Sequence, residues 1–96
     1  MELAKGYHCT IYPGKNARPR HCEIKNIYKD DAEYFESINA ETSMEPVGDL
    51  YALYADIGLK EPDDITPKEA TIITRKGEAC EDAFKRLRAL CERMLT

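Results

Sequence analysis

Glu78-Ala79-Cys80-Glu81-Asp82-Ala83-Phe84-Lys85-Arg86-Leu87-Arg88-Ala89-Leu90-Cys91-Glu92-Arg93-Met94-Leu95 decides the fold class. Cys80, Ala83, Phe84, Leu87, Leu90, Cys91 and Met94 recur at three- and four-residue steps, which makes one apolar stripe on an amphipathic helix. Glu81 and Asp82 come early and Arg93 late, in the order the helix dipole favours. Gly77 interrupts whatever precedes. A helix of roughly 18 residues is about 27 Å long and must lie on an apolar surface of similar width, most simply a sheet.

The N-terminal part supplies strands for such a sheet. Tyr7–Tyr12 alternates, with Tyr7, Cys9 and Ile11 on one face. Pro13-Gly14 marks a turn, Lys15–Arg20 reads as a polar loop, and His21–Tyr28 alternates again through Cys22, Ile24 and Tyr28. Together they predict a hairpin. If Cys9 faces Cys22, then His8 faces Glu23 and Thr10 faces His21, and His8, Thr10, His21 and Glu23 share the side away from the cysteines.

The middle admits two readings. Residues 32–42 fit a strand through Tyr34, Glu36 and Ile38, or a helix capped by Asp30 or Asp31. Residues 49–57 fit a helical face of Leu50, Leu53, Tyr54 and Ile57, or a strand face of Tyr51, Leu53, Ala55 and Ile57. Aromatic content favours strands, and Glu45–Asp49 has the composition of a hairpin turn. Thr66-Pro67-Lys68-Glu69 has the form of a capping box, yet the β-branched Thr71-Ile72-Ile73-Thr74 favours a strand near Ala70–Arg75 after an acidic loop over Lys60–Pro67. The expected fold is α+β: an antiparallel sheet of four to five strands with the C-terminal helix packed on one face. Were residues 32–42 and 49–57 helical, three strands would remain.

Ninety-six residues make one domain with one modest core. A composition 43% apolar and 33% charged fits a folded protein rather than a disordered one. No apolar run reaches the roughly 18 residues of a membrane span, and Met1–Gly6 lacks a signal-peptide layout, so the expected setting is the cytoplasm, with no membrane association. Cys9, Cys22, Cys80 and Cys91 show no Cys-x-x-Cys spacing, and Cys80 and Cys91 sit about 16 Å apart along one helix, too far to bridge. Reduced thiols are expected.

Charge is sorted along the chain. Residues 1–29 hold six bases and two acids, residues 30–71 twelve acids and two bases, and residues 72–96 six bases and four acids. The net charge of −4 therefore conceals an acidic middle between basic ends. Such a field steers partners without specifying the fold.

No nucleotide-binding glycine loop, metalloprotease or hydrolase signature is present, so the expectation is a protein that is not an enzyme and needs no cofactor. His8, His21 and Glu23 are the only residues that suggest a metal, and a solvated hairpin face is the simpler reading, so no metal site is assigned. Lys15, Arg18, Arg20 and Lys25, with tyrosines nearby, could contact phosphates, but the acidic composition of the whole (pI ≈ 5.2) argues against a nucleic-acid module. The acidic middle suits a basic surface on a partner protein, and nucleic-acid grooves are the commonest such surfaces. The expected contacts are Asp30, Asp31, Glu33, Glu36, Asp49, Asp56, Asp63 and Asp64, with Tyr51 and Tyr54 as anchors.

In its acidic residues from Asp30 to Glu69 and its lack of a catalytic motif, the chain resembles small phage- or mobile-element-encoded inhibitors, anti-CRISPR proteins among them. The resemblance implies a single acidic domain that blocks a host nucleic-acid-handling complex by direct binding, as a monomer or homodimer.

Overall fold

The structure, a computed structural model, describes residues 2–14, 17–58 and 68–95. Its elements are β1 (Tyr7–Ile11), β2 (Arg20–Ile24), α1 (Lys29–Ser37), β3 (Ala40–Val47), β4 (Leu50–Ile57), β5 (Lys68–Ile73) and α2 (Cys80–Met94). The strands form one sheet in the order β2-β1-β3-β4-β5. The α+β class is as the sequence predicts, with α2 packed against the sheet. The pairings β1–β2, β3–β4 and β4–β5 are antiparallel, and β1–β3 is parallel.

The hairpin has the register considered above as a condition: Cys9 faces Cys22, His8 faces Glu23 and Thr10 faces His21. The β2 strand is shorter than the alternation suggests. It ends at Ile24, and Ile27 then turns into the core. Residues 32–42 are part helix and part strand. Asn39, at φ +55°, makes the break, because asparagine tolerates the left-handed region that ends a helix. Neither Asp30 nor Asp31 caps α1. Tyr28 holds the N-cap position without a side-chain bond, and both aspartates lie in the first turn. Residues 50–57 are the strand β4. Val47 faces Leu50 across Gly48-Asp49, a two-residue turn in which Gly48 adopts φ +60°. The predicted loop over Lys60–Pro67 lies outside the described residues.

Strand alternation gives the sheet two unlike faces. Tyr7 and Cys9, Leu53, Ala55 and Ile57, and Ala70 point to the helices and join Phe35 of α1 and Ala83, Phe84, Leu87 and Cys91 of α2 in one buried core. The Phe35 and Phe84 rings meet edge to face with centroids 6.4 Å apart, which ties the two helices. Among the described residues, no helix lies on the other face. Among the described residues, no helix is long and apolar enough to cross a membrane.

Candidate functional site: the open face of the sheet

Residues of alternate parity to the core line the uncovered face. On β3 these are Glu41, Ser43 and Glu45, on β4 Ala52, Tyr54 and Asp56, and on β5 Glu69, Thr71 and Ile73. Glu41 lies directly across from Asp56, and Asp56 directly across from Glu69. Three carboxylates thus stand side by side on three neighbouring strands. Directly opposed residues have Cβ atoms about 4.5–5.5 Å apart, and like charges at that distance destabilise a sheet.

Glu69 responds to this crowding. Its carboxyl is held above the usual carboxylate range, first by a hydrogen bond with Asp56 and then by that residue's charge. One row further along, Tyr54 donates its hydroxyl to Glu45 Oε1, and that bond raises the phenol's pKa. A shallow cavity of about 220 Å³ opens among Tyr12, Ser43, Glu45, Tyr54, Asp56 and Glu69.

A second crevice forms where β1 and β3 separate. Their pairing covers only Thr10↔Ser43 and Ile11↔Met44, so the start of β1 stands off from the start of β3. The gap, about 280 Å³, is lined by His8, His21, Glu36 and Glu41 among others. Inside the adjoining core, Tyr7 Oη and Thr42 Oγ1 are hydrogen-bonded at 2.8 Å. Burial pushes the Tyr7 phenol up to about 12.

Three bases of the helices hold ion pairs among the described residues. Lys29 of α1 pairs with Glu2, Arg86 of α2 with Glu78, and Arg88 of α2 with Asp30, Asp31 and Glu92. The row Glu41–Asp56–Glu69 takes part in none of these pairs.

The expected contact residues therefore divide. Asp56 and Tyr54 lie on the open face. Glu36 is exposed on α1 and reaches the crevice, and Glu33 is exposed on α1 facing the N-terminal segment. Asp49 is exposed in the β3–β4 turn. Tyr51 is 48% exposed but sits at the end of β4 beside Arg75, Lys76 and Glu78, away from the acid row. Asp30 pairs with Arg88. Asp31 is fully buried beneath the same arginine and cannot meet a partner. Asp63 and Asp64 lie outside the described residues. Sequence reasoning passed over Glu41, Glu45 and Glu69 as site residues. Their signal was alternation: Glu41-x-Ser43-x-Glu45, Tyr54-x-Asp56 and Glu69-x-Thr71 each put polar groups on one strand face.

On the hairpin, Arg18, Arg20 and Lys25 are exposed, while Lys15 lies outside the described residues. His8 and His21 stack with centroids 5.1 Å apart and planes 9° from parallel. Glu23 is drawn aside and accepts the Gly6 N–H at 2.7 Å. The three side chains do not converge, and among the described residues no group of three or more His, Cys, Asp or Glu is placed to hold a metal ion.

Comparison with known proteins returns no matching family model, no matching curated protein and no matching solved structure.

Proposed function

We propose that this chain is a non-enzymatic binding protein, active in the cytoplasm, whose open sheet face engages a basic surface of a partner protein. The supporting observation is the row Glu41–Asp56–Glu69, three opposed carboxylates that take part in none of the ion pairs described above. A row that costs the isolated fold stability is favourable once lysines or arginines of a partner lie over it. Carboxylates compete with phosphates for the same guanidinium and ammonium donors. A basic groove built for nucleic acid is therefore the surface such a face fits best. This favours an inhibitor of a host nucleic-acid-handling complex, in the manner of the phage-encoded proteins the sequence resembles. The partner contacts are Glu41, Glu45, Asp56 and Glu69, with Tyr54 and Glu36 beside them.

The test is a pull-down with the tagged protein, with and without nuclease, comparing wild type with Glu41→Lys/Asp56→Lys/Glu69→Lys. The expected result is a protein partner that survives nuclease and is lost in the triple variant, which keeps its far-UV circular dichroism. Close interfacial charge pairs predict a loss of roughly tenfold or more in affinity. Unchanged capture by the folded variant would refute the reading. Recovery only of nucleic acid, removed by replacing Arg18, Arg20 and Lys25, would move the function to the hairpin.

A further inference from the structure

The sheet ends in two edges, β2 and β5, and an unpaired edge presents a row of free backbone donors and acceptors. The β2 edge carries a sequence that matches itself. Arg20-His21-Cys22-Glu23-Ile24, turned antiparallel about its central Cys22, sets His21 against Glu23, Glu23 against His21 and Cys22 against Cys22. We propose that this chain associates with a second copy of itself through β2 in that register, forming a continuous ten-stranded sheet.

Three observations carry this. First, the register uses the whole strand, and its two charge-compatible pairs arise together from one symmetry axis. The Glu23 carboxylate is already fixed on the uncovered face, where it accepts the Gly6 N–H. His21 is fixed on the same face by its stack on His8. Both side chains are therefore ordered before pairing, each against a group of β1 or the residue before it. Second, no like charges meet, because Arg20 falls across from Ile24 and Lys25 across from Pro19. Third, the other edge lacks this match: about Ala70 or Thr71 of β5, Glu69 would meet Thr71 or Ile73. An axis perpendicular to the sheet places both open faces on the same side, so the dimer presents two acid rows in one plane. The proposal stands on β2 alone and holds whatever those rows bind.

A five-residue ladder is a small interface of the weak, transient class, and Cys22 offers a way to trap it. The thiol is free and half-buried. Opposed residues of an antiparallel pair have Cα atoms about 4.5–5.5 Å apart, within the range a disulfide spans. Diamide oxidises two thiols to one disulfide and takes up both hydrogens as it becomes the hydrazine. The full-length protein treated with diamide should give a dimer that mass spectrometry maps to Cys22–Cys22, retained in Cys80→Ser and lost in Cys22→Ser. Sedimentation of the untreated Cys22→Ser variant should still show concentration-dependent association. Glu23→Lys should slow cross-linking roughly fivefold or more by setting a cation against His21, and His21→Glu/Glu23→Lys should restore it. Cross-linking through Cys80, a rate indifferent to Glu23→Lys, or a strictly monomeric Cys22→Ser at the highest soluble concentration would each overturn the proposal.

Discussion

Replacing Arg88 with Met tests the contact that fixes α1 against α2. Asp31 is fully buried, and its Oδ1 accepts a bond from Arg88 Nη1 at 3.1 Å. Burial raises the carboxyl's pKa, outweighing the opposing pull of the Arg88 hydrogen bond and of Lys85. Arg88 also reaches Asp30 and Glu92, each at 3.5 Å, and lies over the Tyr34 ring at 4.8 Å. Met keeps much of the stem packing and removes the charge. Breaking a fully buried pair costs about 3–5 kcal/mol. With 27% of the Arg88 side chain open to water, solvent screens part of the pair, and about 2–3 kcal/mol is the expected loss at pH 7. That is a large share of the roughly 5–15 kcal/mol that holds a domain folded. A folded pKa raised above the unfolded value means that the Asp31 contribution is fully present below about pH 4 and is lost as pH climbs through the folded value. Removing Arg88 raises that value further, so the deficit should be largest at neutral pH and shrink toward pH 4. Asp31→Leu/Arg88→Met should come within about 1 kcal/mol of wild type, since no buried charge is left alone. Urea unfolding followed by circular dichroism at pH 7 and pH 4.5 measures wild type, Arg88→Met, Asp31→Leu and the double variant. A single-variant loss under about 1 kcal/mol, a loss equal at both pH values, or additive single effects would refute the reasoning.

The acid row predicts a gain from removing charge. Asp56→Asn should melt higher than wild type at pH 7 in low salt, because the raised Glu69 pKa reflects a cost that grows as pH rises through it, and the gain should vanish near pH 3. Glu78 behaves in the opposite sense. Two Arg86 bonds at 2.8 Å lower its pKa to about 2, so its contribution is present above about pH 4.3 and is lost on descent toward pH 2. Glu78→Gln should cost about 1–2 kcal/mol at pH 7 and almost nothing at pH 2, read from unfolding curves at each pH. Phe84→Ala should cost about 3–5 kcal/mol in denaturant unfolding, because Phe84 is fully buried against Phe35. Iodoacetamide should label Cys22 before the other thiols in peptide mapping: Cys9 and Cys91 are sealed in the core, and burial lifts Cys80 to about 11.

What the sequence made legible was local. The hairpin and the residues sharing each of its faces followed from strict alternation on both sides of a Pro-Gly turn, and α2 followed from a stripe sustained over 15 residues. The helix α1 was hard to read because its nine residues carry only Ala32 and Phe35 as buried apolar anchors. Its short polar run, ended by an asparagine rather than a glycine, resembles a strand as much as a helix. Pro46 obscured β3, since proline is rare inside a sheet. It is tolerated because it lies beyond the last β1 partner, Met44, where β3 has one side free. The parallel β1–β3 contact joins segments separated by a hairpin and a helix, and no local pattern encodes it. The acid row was hidden for the same reason: Glu41, Asp56 and Glu69 become neighbours only through two registers that depend on where each turn falls. Asp31 was misread because an aspartate at a helix start ordinarily serves as a cap or meets solvent, and only the placement of α2 buries it.

Sorting along the sequence thus becomes sorting by layer, and this decides which part of the acidic middle can act. In the helical layer Asp30 and Asp31 meet bases from the C-terminal third, brought back over them by α2. Those acids hold the fold together and have little left to offer a partner. The strand acids Glu41, Asp56 and Glu69 face the opposite way, across the thickness of the sheet from α2. The arginines that serve α1 from one side of the sheet cannot serve the strands on the other. Within the acidic segment Asp30 and Asp31 are paired by Arg88, whereas Glu33 and Glu36 of the same helix and the strand row Glu41, Asp56 and Glu69 take part in none of the ion pairs described above. The proposed interface therefore draws on the strand row with Glu36 beside it, and not on Asp30 and Asp31.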